Sequence, residues 1–126
     1  MTLPKNSKIK SRYIFRNLKK FEYIDSNNFY KLIGSKQELL NNPRNNISPQ
    51  IGLIISKRVY KSAVKRNKCK RRLSEAYKIA REKYMNKLAK YKYLVFILRQ
   101  DIYDCAFNNL INSCELSLSK LSSSAD

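Results

Sequence analysis

Between Lys57 and Arg72 the chain places nine Lys or Arg in sixteen residues with no acid among them, and any fold must let those side chains leave the core together. A helix does this. At about 100° per residue, a helix through this stretch gathers Cys69, Leu73, Ala76, Tyr77, Ala80 and Tyr84 within an arc of about 100°. Lys65, Asn67, Lys68, Arg71 and Arg72 fall on the other side of the same wheel. Arg66 lies above the core arc in the first turn, where it is expected to reach a loop or sheet-edge group as well as a ligand. The segment predicts an amphipathic helix from about Ser62 to Lys87, with its apolar arc on a sheet and its basic stripe outward.

The flanking sequence supplies that sheet. "IGLIIS", Ile51 to Ser56, and "YKYLVFILRQ", Tyr91 to Gln100, hold apolar runs of the kind found in strands buried on both faces. "FYKLIG", Phe29 to Gly34, alternates and is rich in aromatic and branched residues, which also predicts a strand. Ser11 is placed to cap a helix running to about Glu22, with Ile14, Leu18 and Phe21 at helical spacing. Asp104 is placed to cap a last helix whose Phe107, Leu110, Ile111, Cys114, Leu118 and Leu121 share one face. Ser35 to Gln50, with its prolines and asparagines, predicts a loop. The order helix, strand, strand, helix, strand, helix predicts an α+β two-layer sandwich with helices packed on one sheet. A single domain over residues 1–121 is expected, including a flexible basic arm at 1–10, and 122–126 is expected to be a disordered tail.

Charge and missing residue types narrow the function. Lys and Arg number 27 against 9 Asp plus Glu, a net charge of +18; self-repulsion of that size is relieved by a polyanion, and nucleic acid is the leading class. Ordinary solvated helix faces interleave Glu with Lys, whereas no acid follows Lys57 until Glu75. Membrane docking is disfavoured because the apolar arc is needed to cover the sheet. Histidine is absent, which removes the commonest general base and metal ligand. The carboxylates form no close pair of the D-x-D kind. Cys69, Cys105 and Cys114 are odd in number and lack C-x-x-C spacing, so they predict reduced core residues rather than disulfides or a zinc site. No catalytic side chain and no protein-held metal are expected. "MTLPKNSKIK" has no apolar core region of a secretory signal, and a cytoplasmic protein is expected.

The basic segment resembles the protein subunit of bacterial ribonuclease P. That family carries an "RNR" segment opening a helix directly after a strand ending in Ser-Lys-Lys or a close variant. This chain has Ser56-Lys57-Arg58 at the strand end, Ala63 before the basic turn, Arg66-Asn67-Lys68, and "KRRL" at Lys70 to Leu73, with the spacing kept. The resemblance implies a small central mixed sheet with helices packed on it and a left-handed βαβ crossover, the topology of the second domain of a small-subunit ribosomal protein. It also implies an endoribonuclease subunit without catalytic side chains of its own. The RNA subunit, with Mg²⁺ held mainly by that RNA, would hydrolyse the bond joining the 5′ leader to precursor tRNA. The implied partners are the catalytic RNA and the precursor tRNA 5′ leader, with no membrane and no obligate protein partner.

The implied RNA-binding residues are Lys57, Arg58, Lys61, Lys65, Arg66, Asn67, Lys68, Lys70, Arg71 and Arg72. Matching "IKSRYIFRNL" to the family's first helix puts Phe15 on a leader-cleft aromatic, and Tyr30 of the first strand is the second expected leader contact. Departures are visible. The third hallmark residue is Lys68 rather than Arg, which keeps charge and loses bidentate geometry. The second aromatic of the first helix falls at Lys19, a glycine common near Tyr60 is missing, as is the usual Gly-x-Asp before Tyr93, and the loop Ser35 to Gln50 is longer than typical. The competing expectation, a structural ribosomal or nucleoid-type nucleic-acid binder, accounts for the charge and not for the hallmark spacing.

Overall fold

The computed structural model describes residues 16, 18–36, 49–84, 88 and 91–124. Its strands are β1 (Glu22–Ser26), β2 (Tyr30–Ser35), β3 (Gln50–Ile54) and β4 (Tyr93–Leu98), and its long helices are α1 (Ala63–Ala80) and α2 (Phe107–Ser124). The strands form one mixed sheet in the order β1-β2-β4-β3. β2 pairs antiparallel with both β1 and β4, while β3 runs parallel to β4, so α1 lies in the connection between parallel neighbours. The α+β sheet with helices packed on it is as expected.

Side-chain alternation divides the sheet between two clusters. Tyr30, Leu32, Ile51, Leu94, Phe96 and Leu98 meet the apolar faces of α1 and α2. From α1 come Cys69, Leu73, Ala76, Tyr77 and Ala80, all buried, and from α2 Leu110, Cys114, Leu118 and Leu121. Phe96 is the hub, with Tyr30 at 5.0 Å and Tyr77 at 5.6 Å between ring centroids, both edge-on. On the opposite face Ile33, Tyr93 and Val95 pack with Leu18, Phe21, Ile54 and Ile97. β4 therefore has apolar cover on both sides. Gly34 is required by a close approach: a Cβ there would lie 2.8 Å from Ile24 Cδ1, 2.8 Å from Leu94 Cδ2 and 3.0 Å from the Tyr93 carbonyl oxygen.

Several boundaries differ from expectation. The predicted first helix does not reach Glu22: Arg16 is helical, Leu18–Lys20 is a single 3-10 turn, and Glu22 begins β1. This edge strand carries no apolar alternation in its sequence, since only Asp25 is fully buried in "EYIDS". Asn27 closes the hairpin, its Oδ1 accepting from the backbone N–H of Phe29 at 2.8 Å and of Tyr30 at 3.0 Å. Asp104 does not cap α2; it sits in a turn, and the Ala106 carbonyl accepts the first helical bonds, from Asn109 and Leu110. α1 ends at Ala80 and tightens into a 3-10 turn over Arg81–Lys83, short of Lys87. Ser122–Ser124, expected in the tail, continue α2. The arm 1–10, most of the loop between β2 and β3, and Ala125 and Asp126 lie outside the described residues.

Candidate nucleic-acid interface

The basic segment is built in two parts, a turn leaving β3 and the first turns of α1. After Ile55 the chain turns over Lys57–Val59, with the Val59 N–H bonded to the Ser56 carbonyl at 3.1 Å. Ser62 then caps α1 from extended backbone, φ −72° and ψ 123°, its side chain accepting from the Lys65 N–H at 3.3 Å. No acid stands in the first turn of α1; Lys65 and Arg66 stand there instead. The N-terminus of a helix is its positive end, where exposed cations are disfavoured by about 0.3–1 kcal/mol each. The helix thus starts with two like-signed fields superposed, and a bound anion relieves both.

Lys57, Arg58, Lys61, Lys65, Asn67 and Arg71 are exposed, and Lys68 and Lys70 are half-buried. Arg66 is half-buried and donates to the carbonyls of Tyr60 at 2.8 Å and Lys61 at 2.7 Å, the loop contact its position on the wheel predicts. It pins the entry turn against α1. Arg72 is a correction to the outward stripe. It lies at the margin where α1 meets the connection before α2, and its guanidinium donates to the Cys105 carbonyl and lies 3.7 Å from the Cys105 Sγ. Its Nε is buried without a partner. Arg72 is half-buried and commits one guanidinium nitrogen to the Cys105 carbonyl.

Two aromatic residues join this face that sequence reasoning missed. Tyr60 and Tyr103 stack at a tilt, ring centroids 5.2 Å apart, and the Tyr60 hydroxyl donates to the Gln100 carbonyl at 3.3 Å. Lys65 Nζ stands 5.5 Å from the Tyr60 ring and 5.7 Å from the Tyr103 ring, and Lys68 Nζ lies 4.3 Å from that of Tyr103. The topology brings them together: β3 and β4 are parallel neighbours, so the loops leaving their carboxyl ends are adjacent. Distant in sequence, the two tyrosines carry no periodic signal.

The predicted leader aromatics fare differently. Phe15 lies outside the described residues. Tyr30 is a correction: it is 0 % exposed, its ring edge-on to Phe96 and its hydroxyl 2.6 Å from Ser117 Oγ and 3.1 Å from the Ser113 carbonyl. A ring sealed beneath α2 has no face for a nucleobase.

The remaining reactive groups are quiet. Burial pushes the Cys114 thiol up to about 12 and also raises that of Cys69, against the opposing pull of Arg72 and Lys68; neither is a thiolate near neutrality. Among the described residues no three His, Cys, Asp or Glu side chains are grouped so as to hold a metal ion. No helix among them is long and apolar enough to cross a membrane.

Comparison with known proteins places these features in context. The family model described as ribonuclease P matches residues 3–122. Among solved structures, an RNase P protein from Staphylococcus aureus superposes with a TM-score of 0.66 at 24% identity, covering 90% of this chain and 93% of that one. A mutant of the Staphylococcus aureus RNase P protein with defective mRNA degradation activity gives 0.68 at 25% identity, covering 91% and 87%. A further structure of the Staphylococcus aureus protein gives 0.60 at 24% identity, covering 96% and 95%. No match is found among curated proteins.

Proposed function

Because this chain belongs to the ribonuclease P protein family and is a protein subunit of the enzyme that matures tRNA 5′ ends, we propose that the polar side of α1 and its entry turn form the surface that holds the RNA subunit. The observation that carries this reading is the acid-free first turn of α1, where the helix's positive end and the side chains of Lys65 and Arg66 converge. Lys57, Arg58 and Lys61 extend the same field along the entry turn. Arg66 orders that turn through the carbonyls of Tyr60 and Lys61, and Asn67, exposed one residue on, offers both a donor and an acceptor to a base edge or ribose hydroxyl.

In the same reading the catalytic groups belong to the RNA. The magnesium that the family resemblance implies is assigned to the RNA, and no step of the protein's own chemistry runs through it. The protein acts by neutralising phosphates and by holding the precursor tRNA leader. For the leader, the sheet face opposite α1 and α2 offers a row across three strands: exposed Lys31 opposite half-buried Ile97, which in turn neighbours half-buried Ile54. That row combines a cation with apolar surface suited to an unpaired strand.

The test is reconstitution. Adding the full chain to its own catalytic RNA at low Mg²⁺ is expected to raise the rate of leader removal from precursor tRNA. An unchanged rate, with the RNA intact and the protein folded, refutes the proposal. Pull-down from cell extract separates it from a ribosomal or nucleoid role: a single abundant noncoding RNA is expected, and ribosomal RNA or bulk DNA would favour the rival.

A further inference from the structure

The phosphate-binding logic of α1 does not use the Tyr60–Tyr103 pair, and packing alone does not require lysines above its rings. Both tyrosines are half-buried, so neither is sealed in the core. Lys68 Nζ at 4.3 Å from the Tyr103 centroid marks a ring face reachable by a mobile polar group, and Lys65 bridges toward both rings. The pair is held at its base, since the Tyr60 hydroxyl bonds the Gln100 carbonyl and Arg66 pins the Tyr60 carbonyl. Two lysines therefore sit on an aromatic platform that is fixed before any ligand arrives.

We propose that this platform receives an unpaired nucleobase of the bound RNA, which stacks on Tyr103 while Lys65 and Lys68 move from the rings to the flanking phosphates. The inference rests on the reading of α1 as an RNA-binding surface and adds a base-contacting site to it. Exchange favours the base. An ammonium over a ring at an exposed site contributes little, base–aromatic stacking contributes more per base, and the displaced lysines gain phosphates and release counterions. The site is sequence-tolerant, because every base presents a π face.

The chain has no tryptophan, so Tyr103→Trp introduces a single local reporter. The probes are a single-stranded oligoadenylate and an oligomer of equal length and charge with abasic riboses. Quenching of the introduced indole's fluorescence by the oligoadenylate, and much less by the abasic strand, is the expected result. Tyr103→Leu should bind the oligoadenylate about 5- to 150-fold more weakly, the worth of one stacked base, with unchanged affinity for the abasic strand, and Tyr103→Phe should bind as the parent does. Equal quenching by the two probes, no quenching by either, or parental binding by Tyr103→Leu overturns the proposal. Its failure is separable from failure of the RNA-subunit reading: absent quenching alongside enhanced leader cleavage removes only the platform, whereas quenching without enhancement removes only the cleavage role.

Discussion

Ser117→Ala tests whether the buried polar chain between α2 and the β1–β2 hairpin holds the domain together. Ser117 Oγ donates to Asp25 Oδ2 at 2.6 Å. Its single proton being committed there, the Tyr30 hydroxyl 2.6 Å away is the donor to Ser117. Lys120 completes the chain at 2.7 Å from Asp25 Oδ1. The substitution removes one charge-assisted bond, worth about 1.5–3 kcal/mol, and one neutral bond, worth about 1 kcal/mol. Three effects offset part of the loss. Asp25 keeps Lys120, the freed Tyr30 proton turns to the Ser113 carbonyl 3.1 Å away, and Ala recovers about 0.5 kcal/mol of helix propensity. The net destabilisation should be about 2 kcal/mol, which for a chain of 126 residues lowers Tm by roughly 6–10 °C.

The same variant carries a pH signature. Burial alone would raise the Asp25 carboxyl, but hydrogen bonds from Lys120 and Ser117, then the Ser26 backbone and the Lys120 charge, outweigh it and hold the group below its ordinary value of 3.8. A carboxyl depressed in the folded state contributes stability that is fully present above the unfolded value and lost as pH falls through the folded one. The gap between parent and Ser117→Ala should accordingly be widest near neutrality and shrink as pH drops below about 3.8. Urea denaturation at pH 7 and at several acid values measures it. A difference under about 0.5 kcal/mol at pH 7, the range of ordinary surface substitutions, or a gap independent of pH, refutes the reasoning.

Arg71→Gln removes an exposed charge from the α1 stripe, and the slope of log affinity for the RNA subunit against log salt should fall by about 0.7–0.9 with the folded stability unchanged; filter binding across a salt series checks this, and an unaltered slope means Arg71 meets no phosphate. Gly34→Ala drives a methyl into Ile24, Leu94 and the Tyr93 carbonyl, and overpacking of that kind should cost about 1–3 kcal/mol in a denaturation midpoint; parental stability would show that the hairpin edge yields freely.

The sequence alone was enough to locate the strongest elements and the electrostatic character of the surface. Nine like charges without an acid, set against Cys69, Leu73, Ala76, Tyr77 and Ala80 at helical spacing, leave α1 one orientation, and the continuous run at Tyr93–Leu98 leaves β4 one depth. Such signals are local, since periodicity and charge sign are read within a few turns. The tertiary structure decided what depends on partners distant in the chain. It gave the polar strand β1 its place by pairing it with β2, and it buried Tyr30 under Ser113 and Ser117, some 83 and 87 positions away. It also turned Arg72 inward to Cys105 and brought Tyr103 beside Tyr60 at the carboxyl ends of two parallel strands. An aromatic or an arginine is compatible with core and surface alike; only the neighbours that the fold delivers choose between them.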